Sequence, residues 1–369
     1  MTKRYIGLMS GTSADSIDAV LVEFSDHPGI IKSHASPIDQ SLRELIFELY
    51  FSSENEIDKL GQLDVLLGRS FARAANELID LAKLSHQDIC AIGSHGQTIR
   101  HQPDITNPYT LQLGDPNTIA QNTGITTVAD FRRRDLAAGG QGAPLVPLFH
   151  SYVFHSNALN RVVLNIGGIS NITVLPKNDH TNVTGFDTGP GNTLLDAWTQ
   201  YHRGKNLDKN GDWARTGNVN KLLLNRMLKD PYFSKCPPKS SGRDYFGRPW
   251  VENHLKQLDV ELPAEDIQAT LTELTAASIA NAITQFAKET DEVLACGGGV
   301  YNLMLMDSLK KRLYDCNLIS TSACGFPPDW VEAAAFAWLA KQTLERKPGN
   351  LPGVTGASDP VILGGIYQA

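Results

Sequence analysis

Three kinds of residue cluster in this 369-residue chain could do chemistry: turns of small residues, a carboxylate among glycines, and polar groups where strands end. The first turn is Met9-Ser10-Gly11-Thr12-Ser13-Ala14-Asp15-Ser16-Ile17-Asp18, flanked by apolar residues over 5–9 and 19–24. Apolar runs on either side of a polar turn predict a hairpin. At its tip, from Gly11, Thr12, Ser13 and Ala14 through Asp15, Ser16 and Ile17 to Asp18, successive backbone N–H groups can form a nest. The hydroxyls add donors, so the tip suits the oxygens of a phosphate. Alone it would be an ordinary loop. Residues 161–175 repeat the device, strand, tip, strand, around Gly167 and Gly168.

The carboxylate is Asp187, in Gly185-Phe186-Asp187-Thr188-Gly189-Pro190-Gly191-Asn192. Asn192 can cap a helix that begins near Thr193. A carboxylate just before a helix often does no more than stabilise its dipole. The glycines point instead to a close approach between the backbone and another group. Gly297-Gly298-Gly299, after an apolar strand over 292–296, offers flat backbone for a nucleotide base or ribose. It has neither the G-x-G-x-x-G nor the G-K-[ST] spacing of the familiar nucleotide loops. Asp208, Asn210 and Asp212 alternate as in a calcium loop, but Trp213 stands where that loop needs glycine, which excludes it.

Polar groups also follow three predicted strands, where open α/β sheets place ligands. His95 and Gln97, with Arg100 nearby, follow residues 89–93; Asp115 follows 111–114; Asp130 and Arg132 follow 127–129. Carboxylate, amide and guanidinium together make a sugar pocket.

Other elements must hold these groups in place. Residues 29–36 read as a third strand. Residues 42–51 and 57–84 read as helices, the second with apolar positions, including Leu60, Leu63, Leu67, Phe71, Leu78 and Leu81, that recur at three- and four-residue steps. Residues 264–286 form another helix. So do 330–344, where Ala333, Ala334, Ala335 and Ala337 allow close packing and Glu332, near the start, faces either the helix dipole or the site. Gly139, Gly140, Gly142, Pro144 and Pro147 mark a crossover. Residues 231–249, with Lys235, Lys239, Arg243 and Arg248, read as a structured surface loop. The expectation is an α/β protein of two lobes, 1–135 with 345–369 and 136–344.

A net charge of −7 argues against an electrostatic grip on nucleic acid. No apolar run approaches the length that spans a bilayer, and a strand begins too early for a signal peptide. Five cysteines, Cys90, Cys236, Cys296, Cys316 and Cys324, form no C-x-x-C pair. Reduced thiols in the cytoplasm are expected.

Two phosphate hairpins in two lobes are the plan of the sugar kinase, Hsp70 and actin superfamily, a ribonuclease H-like fold with mixed sheets flanked by helices. Within it, the chain resembles the anhydro-N-acetylmuramic acid kinase family. The matching segments are Met9-Ser10-Gly11-Thr12-Ser13, Ser94-His95-Gly96-Gln97-Thr98, Asp130-Phe131-Arg132-Arg133-Arg134-Asp135 and residues 139–147. Asn165-Ile166-Gly167-Gly168, Asp187-Thr188-Gly189-Pro190-Gly191-Asn192, Cys296-Gly297-Gly298-Gly299 and residues 332–339 continue the match.

The resemblance implies ATP-dependent conversion of 1,6-anhydro-N-acetylmuramic acid to N-acetylmuramic acid 6-phosphate, in peptidoglycan recycling and amino-sugar catabolism. It implies that Gly11 to Asp18, with Gly167 and Gly168, hold the phosphates and that Gly297, Gly298 and Gly299 lie under adenosine. Asp187 would be the catalytic base, Glu332 a second polar group, and His95, Gln97, Asp115, Asp130 and Arg132 the sugar contacts. Mg2+ would arrive with ATP rather than in a metal site of the protein's own. The chain departs from the family at Ala14 and Ser16, where a large apolar residue and a glycine are usual. If residue 16 takes a positive φ, serine there costs ~1 kcal/mol. The rivals are an Hsp70- or actin-like ATPase, a kinase for a different sugar, and a sugar sensor, whose DNA-binding segment is not found. Oligomeric state is left open, a homodimer among the options.

Overall fold

The structure is a computed structural model and describes residues 3–11, 13–26, 28–51, 54–179, 182–242, 244–258 and 261–369. The chain divides into two compact units, residues 1–153 with 330–369, and residues 154–329.

The first unit contains strands β1 (Lys3–Met9), β2 (Ser16–Phe24), β3 (Gly29–Pro37), β4 (Ala91–Ser94), β5 (Gln97–Gln102), β6 (Tyr109–Leu113) and β7 (Thr127–Ala129). The second contains β8 (Arg161–Ile166), β9 (Ile169–Leu175), β10 (Thr184–Pro190), β11 (Glu292–Cys296) and β12 (Asn317–Ser320). The chain then returns to the first unit and ends on β13 (Gly365–Tyr367).

In the first unit the sheet runs β3-β2-β1-β4-β7-β13, and β5 and β6 pair separately. The β1–β2 hairpin is antiparallel from Lys3↔Phe24 to Met9↔Asp18, while β4 lies parallel to β1 and β7 parallel to β4. Successive side chains on a strand face opposite ways. Ile6 and Leu8 of β1 and Ile92 of β4 therefore join Leu63, Leu67, Phe71 and Leu78 of the helix Glu56–Ala82 in one core.

The other face of the same two strands is cut down to glycine. Gly7 and Gly93 are register partners, and the helix Val331–Leu344 packs directly onto them. A Cβ on Gly7 would lie 1.8 Å from the Ala333 carbonyl oxygen, and one on Gly93 2.0 Å from that of Phe336. The alanines of this helix have their counterpart in these two glycines. The helix Val146–Phe154 joins the same layer, with Phe149 and Tyr152 at 6.1 and 5.7 Å from Trp338. Both helices thus pack within the first unit, and the units divide at 153/154 and 329/330, where the sequence suggests 135/136 and 344/345.

The second unit repeats the plan in the order β10-β9-β8-β11-β12. The β8–β9 hairpin and β10 are antiparallel, and β11 and β12 continue in parallel from β8. Val162, Leu164, Ile172 and Phe186 pack against Ala276, Ile279 and Ile283 of the helix Ala264–Phe286. An antiparallel meander followed by two parallel strands is the ribonuclease H-like order, and both units have it. The fold is α/β of the sugar kinase, Hsp70 and actin type. Among the described residues no helix is long and apolar enough to cross a membrane. All five cysteines are free.

Candidate active site

Asp187 lies on β10 at a bulge between Asp187 and Gly189. A bulge re-aims a side chain that would otherwise follow the pleat. Three hydrogen bonds from one segment hold the residue. Its N–H donates to the Lys239 carbonyl at 3.1 Å, its carbonyl accepts the Tyr232 hydroxyl at 2.8 Å, and its carboxylate accepts the Ser241 N–H at 2.9 Å. Burial pushes the carboxyl up to about 6, against the opposing pull of the Ser241 N–H and the Lys239 charge. A carboxyl raised this far exchanges its proton near neutral pH. Sequence reasoning did not reach Tyr232, Lys239 and Ser241, because nothing in a stretch read as a surface loop shows which strand it covers. Its Arg243 lies outside the described residues.

Asn192 precedes the helix Thr193–Arg203 but makes no side-chain cap, which corrects the expectation; its Nδ2 donates to the Ile166 carbonyl at 3.3 Å. The backbone here grips the β8–β9 tip. Gly191 and Thr193 N–H groups donate to the Gly168 carbonyl at 2.9 and 3.0 Å, and Asn192 N–H to that of Gly167 at 2.8 Å. A Cβ on Gly191 would meet the Gly167 oxygen at 2.3 Å.

The three successive glycines have different roles. Gly297, at φ 81°, and Gly299 both pack on β8: added Cβ atoms would come within 2.4 Å of Asn165 Oδ1 and 2.2 Å of Ile166 Cγ2. Gly298 has no atom within 4 Å of where a Cβ would be. It borders a cavity of about 460 Å³ shared with Asn192, Leu195, Leu207, Asn210 and Tyr301. That volume is in the range of small-molecule sites. Asp208 lies beside it, its carboxylate accepting the Trp213 and Ala214 N–H groups, both at 2.9 Å, as a turn closure rather than an ion loop. Among the described residues no three His, Cys, Asp or Glu side chains gather as a metal site.

In the first unit, His95, Arg132 and Glu332 come together. Arg132 donates from Nε and Nη2 to His95 Nε2 at 3.1 and 2.9 Å, and from Nη1 to the Gly142 carbonyl at 2.8 Å. His95 stacks on Phe336 at 4.6 Å. It accepts these bonds as a neutral ring, because burial and the guanidinium hold its pKa well below the ordinary value. Burial lowers Arg132 to about 10, opposed by Glu332 and Asp135, so it stays a cation at neutral pH. Burial raises Glu332, which Arg132 opposes.

A carboxylate that the sequence reading passed over anchors this group. Asp135, fully buried, accepts the Gly142 N–H at 2.7 Å, Asn350 Nδ2 at 2.7 Å and Thr355 Oγ1 at 2.8 Å. It thereby fixes the turn whose carbonyl holds Arg132. Its place at the end of Asp130-Phe131-Arg132-Arg133-Arg134-Asp135 was the available signal.

The remaining candidates are more dispersed. Gln97 is buried, with Nε2 on the Tyr50 hydroxyl at 3.0 Å and Oε1 without a partner among the described residues. Asp115 caps the helix Pro116–Thr123, accepting the Asn117 and Thr118 N–H groups at 3.1 and 3.0 Å. Asp130 takes a left-handed φ of 61°, 3.5 Å from Arg133. Arg100 ties β5 to Glu56 at 2.8 Å.

In the first turn Thr12 lies outside the described residues. Gly11 accepts the Ala14 N–H at 3.1 Å, Asp15 accepts from Ser13 Oγ at 2.9 Å and Ser16 N–H at 3.1 Å, and Ser16 Oγ donates to Asp18 at 3.2 Å. The positive φ is at Ala14, 48°, and Ser16 opens β2 opposite Pro37. The strain expected at Ser16 is therefore absent. Ser16→Gly should lower stability by ~0.5–1 kcal/mol, as glycine does in a strand. A higher melting temperature in that variant would show that serine is strained there after all.

Two ribonuclease H-like units, each with a glycine or small-residue hairpin tip, place the chain in the sugar kinase, Hsp70 and actin class. The family model described as "AnmK: Anhydro-N-acetylmuramic acid kinase" matches residues 3–369. Relatives named anhydro-N-acetylmuramic acid kinase include one from Coxiella burnetii, strain Dugway 5J108-111, 51% identical with 99% of this chain and 97% of the relative covered. One from Shewanella pealeana is 49% identical, covering 99% and 98%, and one from Saccharophagus degradans 48%, covering 98% of each. The chain belongs to the anhydro-N-acetylmuramic acid kinase family.

Proposed function

We propose that the chain opens 1,6-anhydro-N-acetylmuramic acid with water and phosphorylates O6 from ATP, giving N-acetylmuramic acid 6-phosphate and ADP. The observation that carries this reading is Asp187, a half-buried residue whose carboxyl is raised to about 6 and whose N–H, carbonyl and carboxylate are each hydrogen-bonded to the segment covering it. An anhydro-sugar has no free 6-hydroxyl, so a kinase acting on it needs a base for water. Asp187 takes one proton from water, and the oxygen bonds to the anomeric carbon as the C1–O6 bond breaks. O6 then attacks the γ-phosphorus and ADP leaves.

Gly11 to Asp18, with Gly167 and Gly168, would hold the phosphates, and the cavity at Gly298 the adenosine. Gly297 and Gly299 serve by letting that backbone pack. Magnesium would arrive with ATP, held mainly by phosphate oxygens and water, and would neutralise phosphate charge. His95, Arg132 and Glu332 form a preorganised polar group for sugar oxygens, and Gln97 Oε1 is a further acceptor that no donor among the described residues meets. Asp130 remains a candidate. Asp115 can contact sugar only while also capping its helix. The cytoplasm, where cell-wall fragments are recycled, is the compartment this role implies.

ADP release with and without the anhydro-sugar tests the reading. Turnover that depends on the anhydro-sugar, and is not matched by N-acetylmuramic acid, is expected. Equal ADP release without sugar would favour an Hsp70- or actin-like ATPase.

A further inference from the structure

Asp187 sits where its sheet ends. β10 is the edge strand of the second unit, and an edge strand presents N–H and C=O groups that no neighbouring strand takes up. At Asp187 both are taken up from outside the sheet. The Lys239 carbonyl accepts its N–H at 3.1 Å, and the Tyr232 hydroxyl donates to its carbonyl at 2.8 Å. The bulge beside it means that pairing with β9 does not set its direction alone. Lys239 and Ser241 hold Asp187 through backbone atoms; Tyr232 does so through its side chain.

Tyr232 is itself firmly held. It is 2% exposed, and its ring meets Phe246 edge-on at 5.3 Å, with Phe233 and Tyr245 at 5.9 and 6.0 Å. Burial pushes the hydroxyl well above the ordinary tyrosine range, so it remains a donor. The Tyr232 N–H donates to Asp230 Oδ1 at 2.9 Å, which also accepts the Tyr245 hydroxyl at 2.7 Å. Asp230 Oδ2 accepts Trp250 Nε1 at 2.9 Å, from the helix Arg248–Leu255. A chain of contacts thus runs from that helix through Asp230 and Tyr232 to Asp187.

We propose that Tyr232 is a positioning residue for the reaction: its hydroxyl fixes the Asp187 main chain at the bulge and so aims the carboxylate at the water it deprotonates. The proposal rests on the reading of Asp187 as the base. A base must lie within hydrogen-bond reach of the proton it takes, and a misplacement of about 1 Å can cost ~10²-fold. Without the hydroxyl, the Asp187 carbonyl loses its side-chain partner on the open edge, where no further strand keeps the bulge in place.

The test compares Tyr232→Phe with wild type, alone and combined with Asp187→Asn, in the full chain, by steady-state ADP release with ATP and the anhydro-sugar. Phenylalanine keeps the ring among its neighbours and removes only the hydroxyl. In the wild-type background kcat should fall ~10–100-fold, with KM for ATP and for the sugar within about threefold of wild type. In the Asp187→Asn background the same substitution should change the residual kcat by less than about twofold, because a residue acting only through the base has nothing left to aim. Ser234→Ala removes a different hydroxyl of the same segment, one that donates to the Pro231 carbonyl at 2.9 Å, and should leave kcat unchanged. If Tyr232→Phe does not fold, Asp230→Asn, which weakens the hold on Tyr232 and leaves its hydroxyl intact, takes its place, with a several-fold loss expected in the same pattern.

A wild-type kcat in Tyr232→Phe overturns the proposal. So does an equal fall in both backgrounds, or an equal fall in Ser234→Ala, either of which would make the hydroxyl a support of the fold alone. A wild-type kcat in Asp187→Asn by itself removes the base, and the positioning role with it; that arm is read with Tyr232 intact, so the two failures are told apart. A fall confined to the background that keeps Asp187 supports both.

Discussion

Asp187→Asn is expected to lose ring opening and phosphoryl transfer together, by the ~10²–10⁴-fold typical of a lost general base. The two losses are coupled because O6 becomes a nucleophile only as the C1–O6 bond breaks, and that needs the water which Asp187 deprotonates. An amide keeps the shape and can still accept the Ser241 N–H, so the loss should fall on kcat more than KM. In water labelled with heavy oxygen, the label should enter the anomeric carbon of the product and not the phosphate ester. Wild-type opening of the anhydro bond by Asp187→Asn, or label in the ester, would sink the assignment.

The same substitution should stabilise the protein. Burial raises the Asp187 carboxyl from 3.8 to about 6, so the folded state holds its proton more tightly than the unfolded chain. Stability tied to such a group is fully present below about pH 4 and lost as pH rises through 6. An uncharged asparagine escapes that loss, for a gain of ~2–3 kcal/mol at pH 7–8 that fades towards pH 4. Thermal unfolding at the two pH values reads this directly; equal melting temperatures at pH 8 would mean that the carboxylate is better solvated than its surroundings indicate.

How much of this was legible in the sequence differs from residue to residue, for physical reasons. The hairpins at 5–24 and 161–175 were visible because strand periodicity and small-residue turns are local signals. Asp187 was visible as a carboxylate among glycines, and its segment carried the family resemblance. Its hold by Tyr232, Lys239 and Ser241 was not, since those residues lie 45 to 54 positions away and meet it only when their segment covers β10. Asp115 reads equally as a ligand or a helix cap until the Asn117 and Thr118 N–H groups are seen pointing at it. Positive φ at position 14 rather than 16 depends on where β2 begins, and boundaries are what local patterns specify least. The alanines of 331–344 announced a close approach, but naming its target required the register Gly7↔Gly93.

That target gives the second large effect. Gly7→Ala should cost about 3 kcal/mol or more, at the upper end of the range for overpacking. The added methyl would lie 1.8 Å from the Ala333 carbonyl oxygen and 2.9 Å from the Ala337 nitrogen, both backbone atoms that no rotamer change can move. Either the helix Val331–Leu344 backs away from β1 or the strand shifts and disturbs its register with β2 and β4. The melting temperature should fall by roughly 6–12 °C, from the usual conversion for a unit of this size. Activity should fall with it, because the displaced helix carries Glu332 and the Phe336 ring against His95. Gly29→Ala, with open space around its Cβ, is the control and should be near neutral. Adding Ala333→Gly should not rescue Gly7→Ala, since the obstructing atom is the carbonyl oxygen and not the Ala333 methyl. Rescue by that pair, or a wild-type melting temperature for Gly7→Ala, would show that the helix is not seated on the strand as described.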